Sequence, residues 1–279
     1  MRGHSAKWIL GALAVAGTAM STVAAYPHPA NSYTSRASCL IDARSVNKLT
    51  SATPGTLSKV EVLRGDHVRA GQIIARLESD VEQTMYDAAR LKAESDAVVH
   101  AREADKENAD KKLQRVKQLQ TNNYATLAAL EDATKEAAVA KYALEQAHLD
   151  KDLAIAEAAR LKAIIERRLI RSPVDGVVTR VDLHAGEYAD ATSPVATVAE
   201  IRPLLVEVYL PADAYPLVSV GTRAVIKPQE PIGGSLKAEI ATKDPQIDSA
   251  SGMFQLSLLL PNTDEAIPAG LRCTIEFLD

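Results

Sequence analysis

The sequence predicts an elongated fold of mixed α and β, on three observations. Residues 79–169 contain no Gly and no Pro and are rich in Ala, Glu, Lys, Leu, Asp and Gln, which are mostly good helix formers. The segments flanking that stretch repeat one another at a constant offset of 121 residues. Beyond Pro173 the chain returns to short apolar runs punctuated by Pro and Gly. A helical insertion between the halves of one small β-sandwich, followed by a further β-rich region, satisfies all three.

At the N-terminus, Arg2 and Lys7 form a basic region, Trp8 to Met20 an apolar one, and Val23-Ala24-Ala25 offers the small residues a signal peptidase needs. Residues 1–25 are therefore expected to be an export signal cleaved after Ala25, or, if kept, an anchor, because Trp8 to Ala25 carries no charge and is near the lower length for a span. The mature chain then works outside the cytoplasm. Residues 26–37 read as an extended, flexible arm. Residues 38–53 read as a strand leading from the β-barrel of the tail into the first half of the repeat.

Within residues 79–170 the cluster Thr121-Asn122-Asn123 is the place for a turn. Folding back there gives an antiparallel α-helical hairpin with arms of about 40 residues, each ~60 Å long at 1.5 Å per residue. In the second arm Leu130, Ala137, Leu144, Lys151, Ala158 and Ile165 recur every seven residues. Ala133, Ala140, Ala147, Ala154 and Leu161 follow three residues behind, so small Ala lines one side of the seam. In the first arm Val81, Ala88, Leu91, Val98, Ala109, Val116 and Leu119 fit one register, interrupted by Arg102, Asp105 and Lys112. Such a seam is thin and gains from neighbouring copies.

The repeat aligns Gly55 with Gly176, Leu57 with Val178, Val60 with Val181, Val62 with Leu183, Gly65 with Gly186, Asp66 with Glu187, Ile74 with Val195, Ala75 with Ala196 and Leu77 with Val198, with no gap. Two such halves, residues 54–78 and 171–199, bury their alternating apolar positions against each other. Gly65 and Gly186 take turns that a Cβ would disfavour. This arrangement resembles the two half-motifs of a biotinyl/lipoyl domain split by a helical hairpin, as in the HlyD-type membrane fusion proteins, the periplasmic adaptors of tripartite efflux and secretion systems. The return from the helices, Ile170 to Val178 (IRSPVDGVV), is similar to that family's. Pro203 to Val208, Val220 to Ala224, Pro245 to Phe254, Leu260 to Asn262 and Ala269 to Ile275 resemble parts of its antiparallel β-barrel.

The resemblance, over roughly residues 40–279, implies a hairpin in a split lipoyl-like sandwich, then a β-barrel over residues 200–279, with no membrane-proximal domain. It implies a non-catalytic periplasmic adaptor coupling an inner-membrane transporter, of RND, ABC or MFS class, to an outer-membrane channel, in a ring of six copies. The alternatives are an envelope scaffold for polysaccharide or other export without channel docking and, remotely, a lipoyl or biotinyl carrier component. No Lys sits in a tight β-turn between the halves, which weighs against carriage. In channel-docking adaptors the hairpin tip carries an Arg, a Leu four residues on and a Ser seven further. That spacing here reads Arg115, Leu119 and Thr126, against the bland alternative of an ordinary helix surface. The family's strand order also makes neighbours of the strands holding Cys39 and Cys273, the only two cysteines, for which a disulfide or two separate thiols both stand.

Other functions are less well served. A net charge of -4 lacks the concentrated basic face that nucleic acid requires. The six His are scattered with no pair at i, i+3 or i+4, so no metal site is expected. No phosphate loop, nucleophile elbow or acid/base set is present, so neither cofactor nor catalysis is expected.

Overall fold

The computed structural model describes residues 36–277. The expected signal and most of the expected arm lie outside the described residues, and Ala37 already opens the first strand. In chain order the elements are β1 (Ala37–Leu49), β2 (Gly55–Val60), β3 (His67–Val68), β4 (Ile73–Leu77), α1 (Asp80–Glu94), α2 (Ala97–Thr121), α3 (Leu127–Glu166), β5 (Leu169–Arg171), β6 (Gly176–Val181), β7 (Tyr188–Ala189), β8 (Ala196–Pro211), β9 (Arg223–Pro228), β10 (Leu236–Lys243), β11 (Met253–Leu260) and β12 (Leu271–Phe277). The helices end at Glu166 rather than residue 170, because β5 pairs with β4 and Ile170 is buried in the sandwich core.

The sandwich is built twice from one plan. Leu57 pairs with Leu77, Lys59 with Arg76 and Val60 with Ala75. At the same offset Val178 pairs with Val198, Arg180 with Thr197 and Val181 with Ala196, with a bulge at the same place in each. The halves clasp each other reciprocally. Leu57 N–H donates to Glu187 O and Gly186 N–H to Leu57 O, while Val178 N–H donates to Asp66 O and Gly65 N–H to Val178 O. Gly65 and Gly186 have φ of +95° and +89°, and beside each turn a carboxylate accepts from a backbone N–H, Asp66 from Leu63 and Glu187 from His184. The repeat extends upstream of Gly55. Ser51 and Ser172, both buried, bond through Oγ to the carbonyl two residues on, at Thr53 and Val174. The shared core holds Leu57, Ile74, Leu77, Val178, Val195 and Val198.

The tail is a closed six-stranded antiparallel barrel in the order β1-β12-β9-β10-β11-β8, with β8 pairing back to β1. Leu204, Val206, Val208 and Leu210 on β8 and Phe254, Leu256, Leu258 and Leu260 on β11 all point inward, the period-two pattern of barrel strands. Ala214 and Val218, at and just after a short 3-10 helix over Ala212–Leu217, cover this core. Cys39 and Cys273 lie directly opposite each other on β1 and β12 and are joined by a disulfide, 234 residues apart in sequence. Titration of denatured, unreduced protein should find no free thiol, and reduction should lower stability by about 2–4 kcal/mol. Two reactive thiols before reduction would contradict the bond.

The helical insert is three helices, not two. The outgoing arm breaks at Ser95-Asp96, where Ser95 is extended (φ −81°, ψ 120°) and Asp96 starts α2. Ser and Asp favour helix starts over helix interiors. Ion pairs tie the outgoing arm to the return arm in antiparallel order: Glu82 to Arg168 just beyond α3, Asp96 to Lys151, and Lys112 to Glu136 at 2.5 Å. All eleven heptad residues named on α3 are buried or half-buried. In the outgoing arm the expected register holds at Ala109 and Val116 and fails at its other five positions. Val81, Ala88, Leu91 and Val98 are exposed, as is Leu119, while Tyr86, Ala89, Ala93, Asp96, Val99, Ala109, Leu113 and Val116 face inward. The break shifts the register, and charge enters the seam. The hydrogen bond from Lys151 holds the Asp96 carboxyl below the usual carboxylate range, as do Glu82's own backbone N–H and Arg168 for Glu82.

Candidate functional site

The turn between α2 and α3 is built by two capping motifs. Asn122 ends α2 and Asn123 follows with φ of +61°, a left-handed position that Asn tolerates. Tyr124 N–H donates to Leu119 O at 2.8 Å and Asn123 N–H to Gln120 O at 3.0 Å, the paired bonds of a Schellman ending. On the other side Thr126 caps α3, its Oγ1 accepting from Ala129 N–H at 3.2 Å. The polar cluster read as a turn from sequence is therefore a helix stop followed within four residues by a helix start.

Arg115 and Leu119 lie one turn apart on α2 and share a face. Both are exposed, and among the described residues the Arg115 guanidinium has no hydrogen bond or ion pair. Leu119 and Tyr124 stand at the two positions whose apolar side chains commonly meet in a Schellman ending. Thr126 is exposed, and its hydroxyl oxygen already accepts one bond in the α3 cap, so its proton and one lone pair are left for a partner. No hydrogen bond or ion pair joins Arg115 or Leu119 to Thr126 through their side chains.

Two residues absent from the sequence reading stand beside these. Tyr124 is 81% exposed and Leu127 64%. With Leu119 they put three large apolar side chains on a nine-residue stretch around the turn, next to a cation with no ion pair among the described residues. Tyr and Leu inside a run of turn-forming polar residues were the available signal. The arrangement suits binding another protein surface and carries no nucleophile or acid/base pair. No group of His, Cys, Asp or Glu among the described residues could hold a metal ion. No described helix is long and apolar enough to cross a membrane.

The Thr126 cap gives a direct test of its structural share. Thr126→Ala should cost about 1 kcal/mol in a thermal or chemical melt, and Thr126→Ser should restore most of it. Equal melts for all three proteins would mean that the hydroxyl does not cap α3.

The same architecture recurs in solved proteins. MacA from Actinobacillus actinomycetemcomitans superposes with a TM-score of 0.72 over 88% of this chain and 78% of its own, at 17% identity. The membrane fusion protein Spr0693 from Streptococcus pneumoniae superposes with a TM-score of 0.58 over 88% of this chain and 99% of its own, at 14% identity. The chain has the membrane fusion protein fold. The cation efflux system protein CusB of Escherichia coli is 27% identical over 110 residues, 39% of this chain and 27% of CusB. The chain spans about half the length of the curated relatives it matches over most of its own length. No protein-family model matches it.

Proposed function

We propose that this chain is a non-catalytic periplasmic adaptor that couples an inner-membrane transporter to an outer-membrane channel for efflux or secretion. The helices form a hairpin whose turn meets the channel, the barrel faces the transporter, and several copies, six by family resemblance, stand side by side in a ring. Energy for transport comes from the transporter.

The observation that carries this reading is the exposed group Leu119, Tyr124, Leu127 and Arg115 at the end of the insert farthest along the chain from the sandwich. Exposed large apolar side chains grouped at one point mark interaction sites. The fusion-protein fold and the efflux role of CusB support the class of partner. Arg115, Leu119 and Thr126 are the proposed docking residues, joined by Tyr124 and Leu127.

A photo-crosslinking amino acid at Tyr124, followed by purification of the tagged chain from the cell envelope, tests the assignment. The expected result is a covalent adduct with an outer-membrane channel and co-purification of an inner-membrane transporter. Recovery of a transporter with no channel adduct would favour the scaffold for polysaccharide or other export.

A further inference from the structure

The sandwich and the barrel share one ribbon, β1 paired with β8, and the ribbon has a flaw where one body gives way to the other. Pairing runs regularly up to Ala43 with Leu204 and resumes at Ser45 with Glu200, leaving Arg44 on one strand and Ile201, Arg202 and Pro203 on the other out of the ladder. A ladder interrupted on both strands bends more easily than a continuous one.

The loop after β11 grips this joint. Asn262, buried to 2% exposure, donates from Nδ2 to Ile201 O at 3.1 Å, so a carbonyl freed by the flaw is satisfied from the loop. The same side chain braces its own loop, donating to Ile267 O and accepting from Ile267 N–H. Glu265, in a left-handed conformation at φ +54°, is thereby held across the joint. One of its oxygens receives Arg202 Nε at 3.0 Å, and the other bonds His67 Nε2 on β3, in the sandwich. The repeat counterpart of His67 is Tyr188, exposed and outside this contact. Among the described residues, one half of the sandwich and not the other is tied to the barrel in this way.

We propose that the β11–β12 loop is a strap, with Glu265 as its buckle, that sets the angle between sandwich and barrel across the flawed ribbon. Release of Glu265 from His67 and Arg202 lets the two bodies swing while each keeps its own core. On the adaptor reading, this is a joint by which the barrel can follow the transporter without moving the helical turn. The joint itself is a property of the isolated chain and does not depend on that reading.

Spin labels on Lys59→Cys in the sandwich and Ser235→Cys in the barrel report the angle as a distance, because the native cysteines are held in their disulfide. The expected result is a single narrow distance in the parent protein. The double variant His67→Ala/Arg202→Ala, which removes two exposed side chains, should lose that narrow peak with little change in melting temperature. Glu265→Asn, which keeps a residue that tolerates the left-handed backbone but is too short to reach both partners, should do the same. Tyr188→Ala should leave the peak intact. A narrow, unshifted distance in the double variant and in Glu265→Asn overturns the strap, as does a broad distance in the parent protein.

Discussion

Gly176→Ala is expected to unfold the sandwich at a temperature more than about 10 °C lower than the parent, while Gly55→Ala, at the matching place in the other half, is expected to cost far less. The two glycines occupy one position in the internal repeat, so composition and propensity predict equal effects. Their surroundings do not. A Cβ on Gly176 would lie 2.3 Å from Ala199 O and 2.9 Å from Ala199 C, both backbone atoms of β8. Relief requires β6 and β8 to part at a pair that holds the sandwich together and that continues into the barrel. Overpacking of this kind costs about 3 kcal/mol, and a unit of this size loses roughly 4–8 °C per kcal/mol. A Cβ on Gly55 would meet the end of the Arg168 side chain at 2.8 Å and Leu77 Cδ2 at 2.9 Å. These are side-chain ends, not backbone: the Arg168 end can swing aside, at the expense of its bonds to Glu82 and to Pro54 O, and the buried Leu77 side chain must shift slightly in the core. That cost should stay near about 1 kcal/mol. Differential scanning calorimetry with hydrogen exchange resolved over β6 and β8 reads both effects. Equal, small shifts for the two variants would mean that β8 yields easily, and the clash at Gly176 would not be what fixes that glycine.

The same repeat shows what a single sequence discloses. Constant offset is visible without any structure, because apolar alternation and turn glycines both leave a mark in residue type. The reciprocal bonds of Gly65 and Gly186 follow from that alignment. Ser51 and Ser172 do not, since their shared role is a side chain turned back on its own backbone, and the residues between, Pro54 against Asp175, break the match. The return helix was legible for a similar reason: its Ala-rich seam is continuous over forty residues. The outgoing arm was not. Ser95-Asp96 interrupts it, and a heptad frame carried through the break selects Val81, Ala88, Leu91 and Val98, which face solvent. Lys151, the one charged residue in the heptad row of the return helix, is half-buried there as the partner of Asp96. At the turn, motif spacing directed attention to Arg115, Leu119 and Thr126 and away from Tyr124 and Leu127. Their exposure is a fact of packing that spacing cannot report.

On the proposed adaptor function, Arg115→Asp should abolish docking to the outer-membrane channel while leaving the fold intact, and Leu119→Asp and Leu127→Asp should act in the same direction. Arg115 contributes no ion pair or side-chain hydrogen bond within the described residues, so its loss should change stability by no more than about 0.5 kcal/mol. Against a partner surface the same change replaces a favourable charge contact with repulsion, which costs several kcal/mol. That is enough to weaken the affinity of a complex by two or more orders of magnitude. Leu119→Asp is the less clean of the three, because it also removes the apolar side chain at the Schellman ending and should lower the melt slightly. Leu127→Asp places an acid at the first position of α3, where the helix dipole favours it, so any loss of function there cannot come from a weakened helix. The shaft control must avoid Lys106, which is half-buried and paired with Asp110 at 2.7 Å. Lys162, exposed near the sandwich end of α3 and in no ion pair among the described residues, is the better choice, and Lys162→Asp should be nearly silent. An export or resistance assay, crosslinking to the channel and a melting curve on each variant separate the outcomes. Full activity and normal crosslinking in Arg115→Asp and Leu127→Asp would remove the turn as a docking site and promote the scaffold. A lowered melt in Arg115→Asp would assign Arg115 to the helices themselves, and Leu127→Asp would then decide the docking question alone.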